Sequence, residues 1–403
     1  MSPKARIATD PMPELERLPE VPDLSRLRVA VVHDWLTGMR GGEKVLEAIL
    51  EIVPQAEIFT LFHLEGSVSG EIVEGRTIHT SRLQRLARTV SDYRRLLPLF
   101  PRAAESWSFE QFDLVVSSSH CVAKGVDAGR VPHVSYCHTP MRYIWDRFDD
   151  YFPASKPMRR VAASTLAPAL RRWDVASSDR VDRFVANSEF VRGRIREYYD
   201  RDADVVHPFV ADAWFSSPTE ESRDEYHLVV SALVPYKKIE LAIEAARISG
   251  RRLLIVGDGP QRKQIEASAS PNVEVLGWLD EEELRRVVGR ARTLIIPGVE
   301  DFGITALEAM ACGTPVLGAK IGGVRDSVVE DETGLLVETG EAESLAEEMV
   351  RAERIEWDRE RIRQRARSFD RKTFVERLGR ILLETGAGLL SSGSIVRSRR
   401  PTC

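Results

Sequence analysis

Residues 297–315 read PGVEDFGITALEAMACGTP and directly follow the apolar segment Thr293–Ile296, which predicts a β-strand. Within the stretch, apolar residues recur at helical spacing, at Ile304, Leu307 and Ala311. A glycine and a proline then end the pattern, so we predict a helix of about ten residues that begins near Gly303. A strand followed by a short loop and a helix is the building unit of a parallel α/β sheet.

Two glutamates flank the N-terminus of this predicted helix. Glu300 lies in the loop before it, and Glu308 lies in its second turn. The free amide groups of a helix N-terminus favour a bound phosphate, and carboxylates accept hydrogen bonds from sugar hydroxyls. Both glutamates and the residues at the helix start, Phe302, Gly303 and Ile304, are therefore candidate ligands of a phosphorylated sugar. A solvated surface position is the alternative for either glutamate alone.

Short β-branched segments alternate with longer segments of helical period throughout the chain, which predicts parallel sheets with crossover helices. In the first half, strands are predicted at Leu27–His33, Phe112–Ser117, Val131–Tyr136 and Val181–Ala186. In the second half, they are predicted at His227–Leu233, Arg252–Val256, Val273–Leu276, Thr293–Ile296 and Pro315–Ala319. Both halves are thus expected to be doubly wound Rossmann-like α/β domains, and their facing strand ends would enclose a central cleft.

A change of composition separates the two halves. Residues 205–226 are rich in proline, serine and acidic residues, which is typical of a linker, and we place the domain boundary near Pro208. The predicted order is a flexible arm, a first Rossmann-like domain, a second Rossmann-like domain, a C-terminal helix that returns to the first domain, and a flexible tail. The corresponding ranges are 1–24, 25–208, 209–371, 372–384 and 385–403.

The composition excludes several classes of protein. The 57 basic and 62 acidic residues of the 403-residue chain leave a net charge of -5, so bulk electrostatics predict no nucleic-acid partner. The four cysteines lie far apart, without the close pairs of a zinc or disulfide framework. No apolar segment reaches the roughly 18 residues that a membrane-spanning helix needs. We therefore expect a cytoplasmic protein.

Two glycine-rich turns follow predicted strands. Gly41 and Gly42 lie directly before a helical segment, and Gly257 and Gly259 follow the strand that ends at Val256. Glycine lets the backbone approach a ligand closely, and a helix start offers amide groups to a phosphate or hydroxyl. A strained turn with no ligand is an equally good interpretation of the first motif, and a tight turn at a strand end is sufficient to explain the second, which marks a second Rossmann-type half.

Charged and titratable residues also follow predicted strands. Lys237 and Lys238 come after the first strand of the second half, where they can neutralise a leaving diphosphate. His120 and His138 come after two strands of the first half, so either can face the cleft. A solvated lysine pair and structural histidines are the alternatives.

Residues 297–315, with Glu300 and Glu308 on either side of Phe302-Gly303, resemble the retaining GT-B enzymes of glycosyltransferase family 4. The resemblance extends from about Leu27 to about Leu383 and includes the Gly41-Gly42 turn, Asn187-Ser188, the Lys238 segment, residues 257–260 and residues 331–337. Residues 137–146 and 233–237 are most similar to the bacterial mannosyltransferase-like branch involved in polysaccharide assembly.

The resemblance implies a role for each candidate residue. The donor would lie on the second domain, with Glu308 on the ribose, Glu300 on the donor sugar and Lys238 on the diphosphate. Gly41 and Gly42 would approach the diphosphate or the acceptor, and His120 or His138 would contact the donor sugar. The resemblance further implies a GT-B fold, retention of anomeric configuration, and no cofactor besides the nucleotide sugar, most simply GDP-mannose.

One position departs from the family pattern. Many relatives carry an arginine six residues before the lysine that matches Lys238, and here that residue is Ala232. A bidentate contact with the diphosphate is therefore missing unless Lys237 replaces it. Metal dependence is not expected, because the Asp-x-Asp string Asp202-Ala203-Asp204 lies near the linker and away from the donor motifs, where a solvated loop is favoured.

The sequence thus predicts a retaining, metal-independent hexosyltransferase that moves mannose from GDP-mannose to a lipid-linked or polysaccharide acceptor. Its setting would be cell-envelope or exopolysaccharide synthesis. A catalytically weak nucleotide-sugar-binding regulator is the alternative, and a phosphorylase is a third. Residues 80–101 and the arginines around residues 159–172 alternate basic and apolar side chains, which suits peripheral contact with an anionic membrane or packing on the protein's own core.

Overall fold

A computed structural model describes residues 24–86, 94–216, 223–338 and 340–391. The predicted arm, apart from Leu24, and the last twelve residues of the predicted tail lie outside the described residues. Within them, each half of the chain forms one parallel sheet covered by helices on both faces. This is the predicted pair of doubly wound α/β domains.

The N-terminal domain is built on a seven-stranded parallel sheet of order β3-β2-β1-β4-β5-β6-β7. The chain order reverses beside β1, so β1 and β4 diverge at a switch point where ligands bind in such folds. The strands are β1 (Val29–His33), β2 (Glu57–Thr60), β3 (Ile78–Thr80), β4 (Leu114–Ser119), β5 (His133–Cys137), β6 (Arg183–Ala186) and β7 (Ala203–Val205).

The C-terminal domain repeats this plan with a six-stranded parallel sheet of order β10-β9-β8-β11-β12-β13. Its switch point lies between β8 and β11. The strands are β8 (His227–Val230), β9 (Leu253–Val256), β10 (Val273–Gly277), β11 (Leu294–Ile296), β12 (Val316–Ala319) and β13 (Gly334–Val337).

Helices connect the strands and cover both sheets. Those of the N-terminal domain are α1 (Gly41–Ile52), α2 (Gly70–Val73), α3 (Phe100–Ala104), α4 (Phe148–Tyr151), α5 (Pro157–Ser178) and α6 (Glu189–Tyr199). The second domain and the C-terminal segment contain α7 (Ile239–Ser249), α8 (Arg262–Ser268), α9 (Glu281–Arg290), α10 (Ile304–Ala311), α11 (Val324–Ser327), α12 (Ala342–Ala352), α13 (Arg359–Arg367) and α14 (Arg371–Ser391). Short 3-10 helices occur at Arg82–Leu86, Arg94–Leu99, Ala123–Gly125, Asp212–Ser216 and Pro235–Lys237.

Strand residues alternate between two buried layers, which explains why their sequences are almost continuously apolar. In β1, Val29 and Val31 face one hydrophobic cluster, while Ala30 and Val32 face the cluster on the other side of the sheet. The strands of the second domain are divided between two clusters in the same way. Burial on both faces fixes the register and aligns the strand ends that carry the candidate site.

The C-terminal helix α14 packs on the N-terminal domain. Phe374, Leu378 and Leu382 are at most 1% exposed and join the cluster that contains Leu46 and Ile49 of α1. Each fully buried side chain of this kind contributes about 1.5 to 3 kcal/mol. The helix reaches Ser391, seven residues beyond the predicted end at residue 384, so the start of the predicted flexible tail is helical.

All nine predicted strands are present, with ends that differ by at most three residues. The prediction missed β2, β3, β7 and β13, which are three or four residues long. The Asp-x-Asp string at 202–204 was interpreted as a solvated loop, but two of its residues belong to β7. Among the described residues, no helix combines the length and apolar character that crossing a membrane requires.

Candidate active site

The cleft lies between the carboxyl ends of the two sheets, where helices α1 and α10 meet end to end. A side-chain carbon at Gly41, the first residue of α1, would lie 3.0 Å from Ile304 Cδ1, the first residue of α10. Lys44 Nζ of α1 lies 3.5 Å from Glu308 Oε1 of α10. Two helix N-termini, each of which attracts anions, therefore border one space between the domains.

A cluster of histidines forms the N-terminal wall of the cleft. The hydroxyl of Ser118, near the end of β4, lies 2.8 Å from His138 Nε2 and 3.1 Å from His33 Nδ1. The rings of His120 and His138 are 6.4 Å apart. Gly42 is next to this cluster, since a side-chain carbon there would be 3.9 Å from the His138 ring. The structure thus brings both predicted histidines and the glycine turn together.

Asp34 fixes the position of His120. Directly after β1, its carboxylate accepts hydrogen bonds from the four consecutive backbone N–H groups of residues 120–123, at 2.7 to 2.9 Å. The same carboxylate lies 3.2 Å from His120 Nδ1. The Nδ1 side of the His120 ring is therefore oriented by Asp34.

Burial keeps both cleft histidines neutral. It lowers the pKa of His120 and of His138 to about 3, with neighbouring histidines adding to the effect. At neutral pH they can exchange hydrogen bonds with sugar hydroxyls but carry no positive charge. Burial alone would raise the pKa of Glu43, but the combined effects of His33, whose Nε2 lies 3.7 Å from Glu43 Oε1, of His120 and of a backbone hydrogen bond outweigh it, so the pKa is lowered.

The two lysines after β8 reach the cleft, and both are paired with carboxylates. Lys237 Nζ donates to Glu300, and Lys238 Nζ donates to Asp150 Oδ1 of α4 at 3.0 Å. Lys238 has φ 54°, a left-handed conformation that non-glycine residues rarely adopt and that is concentrated at functional sites. Each predicted diphosphate ligand is thus held by a negative charge that a donor would have to displace or accommodate.

The stretch around α10 forms the other wall of the cleft. The helix begins at Ile304 after Gly303, whose φ of 91° suits glycine. Burial raises the pKa of Glu308, and this outweighs the opposing effect of Lys44. The Phe302 side chain is 3% exposed and packs near Phe369 in the core, and its contact with the donor stays a prediction. An apolar ring before a helix is buried more favourably than it is solvated.

The second glycine turn has a structural explanation. A side-chain carbon at Gly257 would overlap the carbonyl oxygen of Ser231, and one at Gly259 would overlap that of Leu233. Gly257 also has φ 134°. Both glycines are therefore required for the close packing of two backbones, and their contact with a donor stays a prediction.

Replacing Gly257 with alanine is expected to lower the free energy of unfolding by about 3 kcal/mol or more, because the new side chain meets backbone and the conformation is strained. The matched control is Gly193→Ala in α6, where a side-chain carbon meets nothing within 4 Å. That change should stabilise the protein by up to about 1 kcal/mol. Urea unfolding followed by circular dichroism measures both, and equal effects would contradict the packing explanation.

Several residues of the cleft were missed by the sequence prediction: Asp34, Glu43, Ser118, Arg142, Asp150, Arg194 and Asp301. Asp34 follows a predicted strand directly, which is a signal the sequence contained. Ala232, the position at which the family resemblance implies an arginine, is exposed, and Lys237 and Lys238 are the cations near it in the sequence. The Asp-x-Asp string lies elsewhere, since Asp202 pairs with Arg192 and Asp204 with Arg183. Within the described part of the chain, no group of three histidine, cysteine or acidic side chains is arranged to hold a metal ion.

Two family models match the chain in consecutive segments. The model described as Glycosyltransferase Family 4 matches residues 60–214, and the model described as Glycosyl transferases group 1 matches residues 210–369. The two segments meet within residues 210–214, close to the predicted domain boundary at Pro208.

Curated relatives align with part of the chain. An uncharacterised glycosyltransferase of Methanocaldococcus jannaschii is 26% identical over 47% of this chain and 55% of its own length. The D-inositol 3-phosphate glycosyltransferase of Mycobacteroides abscessus is 32% identical over 42% of this chain and 44% of its own length. The chain thus spans about half the length of the curated relatives it matches.

Solved structures match the whole fold. Sucrose-phosphate synthase of Thermosynechococcus elongatus has a TM-score of 0.64 at 18% identity, and Anabaena HepE, crystallised with UDP, has a TM-score of 0.61 at 16% identity. Both matches cover 91% of this chain and all of the compared chain. These likenesses confirm the predicted GT-B fold. The chain thus combines the GT-B fold with two consecutive segments, residues 60–214 and 210–369, that each match a glycosyltransferase family model.

Proposed function

We propose that this protein is a retaining hexosyltransferase that uses a nucleotide diphosphate sugar. The observation that carries the proposal is the meeting of the α1 and α10 N-termini at a cleft that also contains Glu300, Glu308, Lys237 and Lys238. Helix ends and lysines attract a diphosphate, while carboxylates and neutral imidazoles bind hydroxyl groups. A nucleotide diphosphate sugar contains both kinds of group, because its diphosphate is flanked by the hydroxyls of the ribose and of the donor sugar.

In this proposal, catalysis consists of orienting two sugars and stabilising the leaving diphosphate. Glu300 accepts hydrogen bonds from the donor sugar, and Glu308 from the ribose. Lys238, Lys237 and the α10 N-terminus stabilise the charge that develops on the leaving oxygen. That oxygen can take the acceptor's proton as the new bond forms on the same face, which retains the configuration. The lysines supply the positive charge here, so we propose that no metal is required.

We further propose that the sugar is mannose from GDP-mannose and that the acceptor is lipid-linked or part of a polysaccharide of the cell envelope. The similarity of residues 137–146 and 233–237 to the mannosyltransferase-like branch supports this choice. HepE was crystallised with UDP and with UDP-glucose, so a uridine donor is the alternative to test beside it.

The test combines binding and turnover. Thermal shift with GDP, UDP and ADP identifies the base, and hydrolysis of GDP-mannose and UDP-glucose is then followed in the presence of a chelator. A selective shift with GDP and metal-independent turnover of GDP-mannose would support the proposal. No shift with any nucleotide would contradict nucleotide-sugar binding altogether, and turnover that the chelator abolishes would contradict metal independence. Retention is checked by NMR of the anomeric proton of a transferred sugar.

A catalytically weak nucleotide-sugar-binding regulator is the second candidate. It is favoured by Ala232 and by the carboxylates that already occupy Lys237 and Lys238. Such a protein would bind a nucleotide sugar without turnover, even with lipid-linked acceptors present. Turnover under any of these conditions would contradict it.

Peripheral membrane contact is proposed for the start of α5. Met158 and Val161 are 87% and 67% exposed, and Arg159 lies beside them. The earlier candidate, residues 80–101, lies partly outside the described residues, and its Leu83 packs against the core of the first domain. An apolar surface beside arginines suits anionic lipid. Binding to anionic but not neutral liposomes at low salt, lost in Met158→Ser, would support this site.

A further inference from the structure

Asp301 lies in the C-terminal domain, but its side chain is held by the N-terminal domain. Its carboxylate accepts hydrogen bonds from Thr139 Oγ1 at 3.0 Å and from Arg194 Nη1 at 2.6 Å. Arg142 Nη2 lies 2.9 Å from the second carboxylate oxygen. The backbone oxygen of Asp301 also accepts a hydrogen bond from Ser188 Oγ. Four residues of one domain thus converge on one residue of the other.

The N-terminal domain holds both neighbours of Glu300. Asp301 follows it, and on the other side the backbone oxygen of Val299 accepts a hydrogen bond from Arg147 Nη2 at 2.9 Å. Glu300 itself remains within the C-terminal domain, where it pairs with Lys237. The contacts between the domains therefore fix the backbone on each side of the carboxylate proposed to bind the donor sugar.

The contacts of Asp301 are charged and well enclosed. Thr139 is 2% exposed and Arg194 is 5% exposed, and Arg194 also pairs with Asp146. Burial would raise the pKa of Asp301, but the charges of Arg142, Arg194 and Lys237 and the hydrogen bond from Thr139 together outweigh it, so the pKa is lowered and the carboxylate is ionised at neutral pH. Charge-assisted hydrogen bonds of this kind are stronger and more directional than neutral ones.

We propose that Asp301 is a positioning residue that couples closure of the two domains to the placement of Glu300. The proposal rests on the proposed transferase function. Among the described residues, the side-chain partners of Asp301, which are Thr139, Arg142 and Arg194, all belong to the other domain, so this set of contacts exists only while the cleft is closed. Opening the cleft would return these charges to water, where ion pairs contribute little, and would release the backbone beside Glu300.

The central variant is Asp301→Asn, which keeps the shape of the side chain and removes its charge. Since the donor is bound mainly by the C-terminal domain, its KM should change less than about 3-fold, whereas kcat should fall about 30- to 100-fold because Glu300 is no longer fixed. The matched control is Asp331→Asn, which breaks a pair with Arg351 within the C-terminal domain and should leave both constants within about 2-fold of the parent.

Small-angle X-ray scattering of the unliganded full chain measures closure without any turnover. Asp301→Asn should have a larger radius of gyration than the parent and Asp331→Asn, at an unchanged circular dichroism spectrum. Arg142→Gln provides a second variant, and adding it to Asp301→Asn should lower kcat by less than the product of the two single effects, because the residues share one contact.

The outcomes separate the two proposals. If the parent turns over no nucleotide sugar, the proposed function fails, while scattering still tests closure. If the scattering of Asp301→Asn coincides with that of the parent, or if the variant changes KM and leaves kcat intact, the role of Asp301 is overturned although the transferase stands. Loss of folding in Asp301→Asn would shift the test to Arg142→Gln, for which the same open form and the same kcat effect are expected.

Discussion

Replacing Glu300 with glutamine is expected to lower kcat/KM for the donor about 1,000-fold, which corresponds to about 4 kcal/mol of transition-state stabilisation. The carboxylate pairs with Lys237 and is proposed to accept hydrogen bonds from the donor sugar. Glutamine has the same size, but its neutral amide accepts weaker hydrogen bonds and leaves Lys237 without its charged partner. Steady-state kinetics of donor hydrolysis and of transfer measure the change, and thermal shift with the nucleotide diphosphate should stay close to that of the parent.

A second glutamate on the same wall provides the matched control. Glu308→Gln removes the proposed ribose contact, which is far from the reacting carbon, so we expect KM to rise more than kcat falls. Identical losses in the two variants would mean that Glu300 contributes only to general binding. Retained turnover in Glu300→Gln would contradict its role at the donor sugar.

The fold could be predicted because its decisive elements are local. Strands buried on both faces, such as β1 and β11, are short apolar segments, and the helical spacing after Gly303 is contained within about ten residues. The edge strand β3 consists of Ile-His-Thr with every residue partly exposed or exposed, so its sequence carries little apolar pattern. Strand β7 is also three residues long and contains one of the aspartates that suggested a loop.

The candidate site likewise contains residues that could be predicted from the sequence and residues that could not. Residues carried by a strand end or a helix start, such as Glu300, Glu308 and His120, stand out in the sequence because their position follows from local elements. Their partners do not. Asp150 and Lys238 are 88 residues apart, and Lys44 and Glu308 are 264 residues apart. Such pairs arise when two domains close on each other, and no periodicity along the chain encodes that arrangement.

These partners change the interpretation of the cleft. The cations expected to receive a diphosphate are paired with carboxylates, one of them contributed by the other domain. An ion pair that is partly open to solvent contributes little stability, so a dianionic diphosphate can compete with it. The affinity for the donor then depends on how much more strongly Lys238 interacts with the diphosphate than with Asp150. Replacing Lys238 should therefore weaken donor binding, whereas replacing Asp150 should strengthen it.

Lys238→Ala is accordingly expected to lower kcat about 100- to 1,000-fold, because a positive charge at the leaving diphosphate acts mainly in the transition state. Asp150→Asn should instead lower the Kd of the nucleotide diphosphate several-fold, since the lysine is released from its competitor. Isothermal titration with the diphosphate and steady-state kinetics of both variants make the comparison, with Lys320→Ala as a control that breaks an exposed lysine pair with Glu338. If Asp150→Asn weakens binding as Lys238→Ala does, Asp150 supports the lysine rather than competing for it. In that case the closed cleft seen here is already the form that receives the donor.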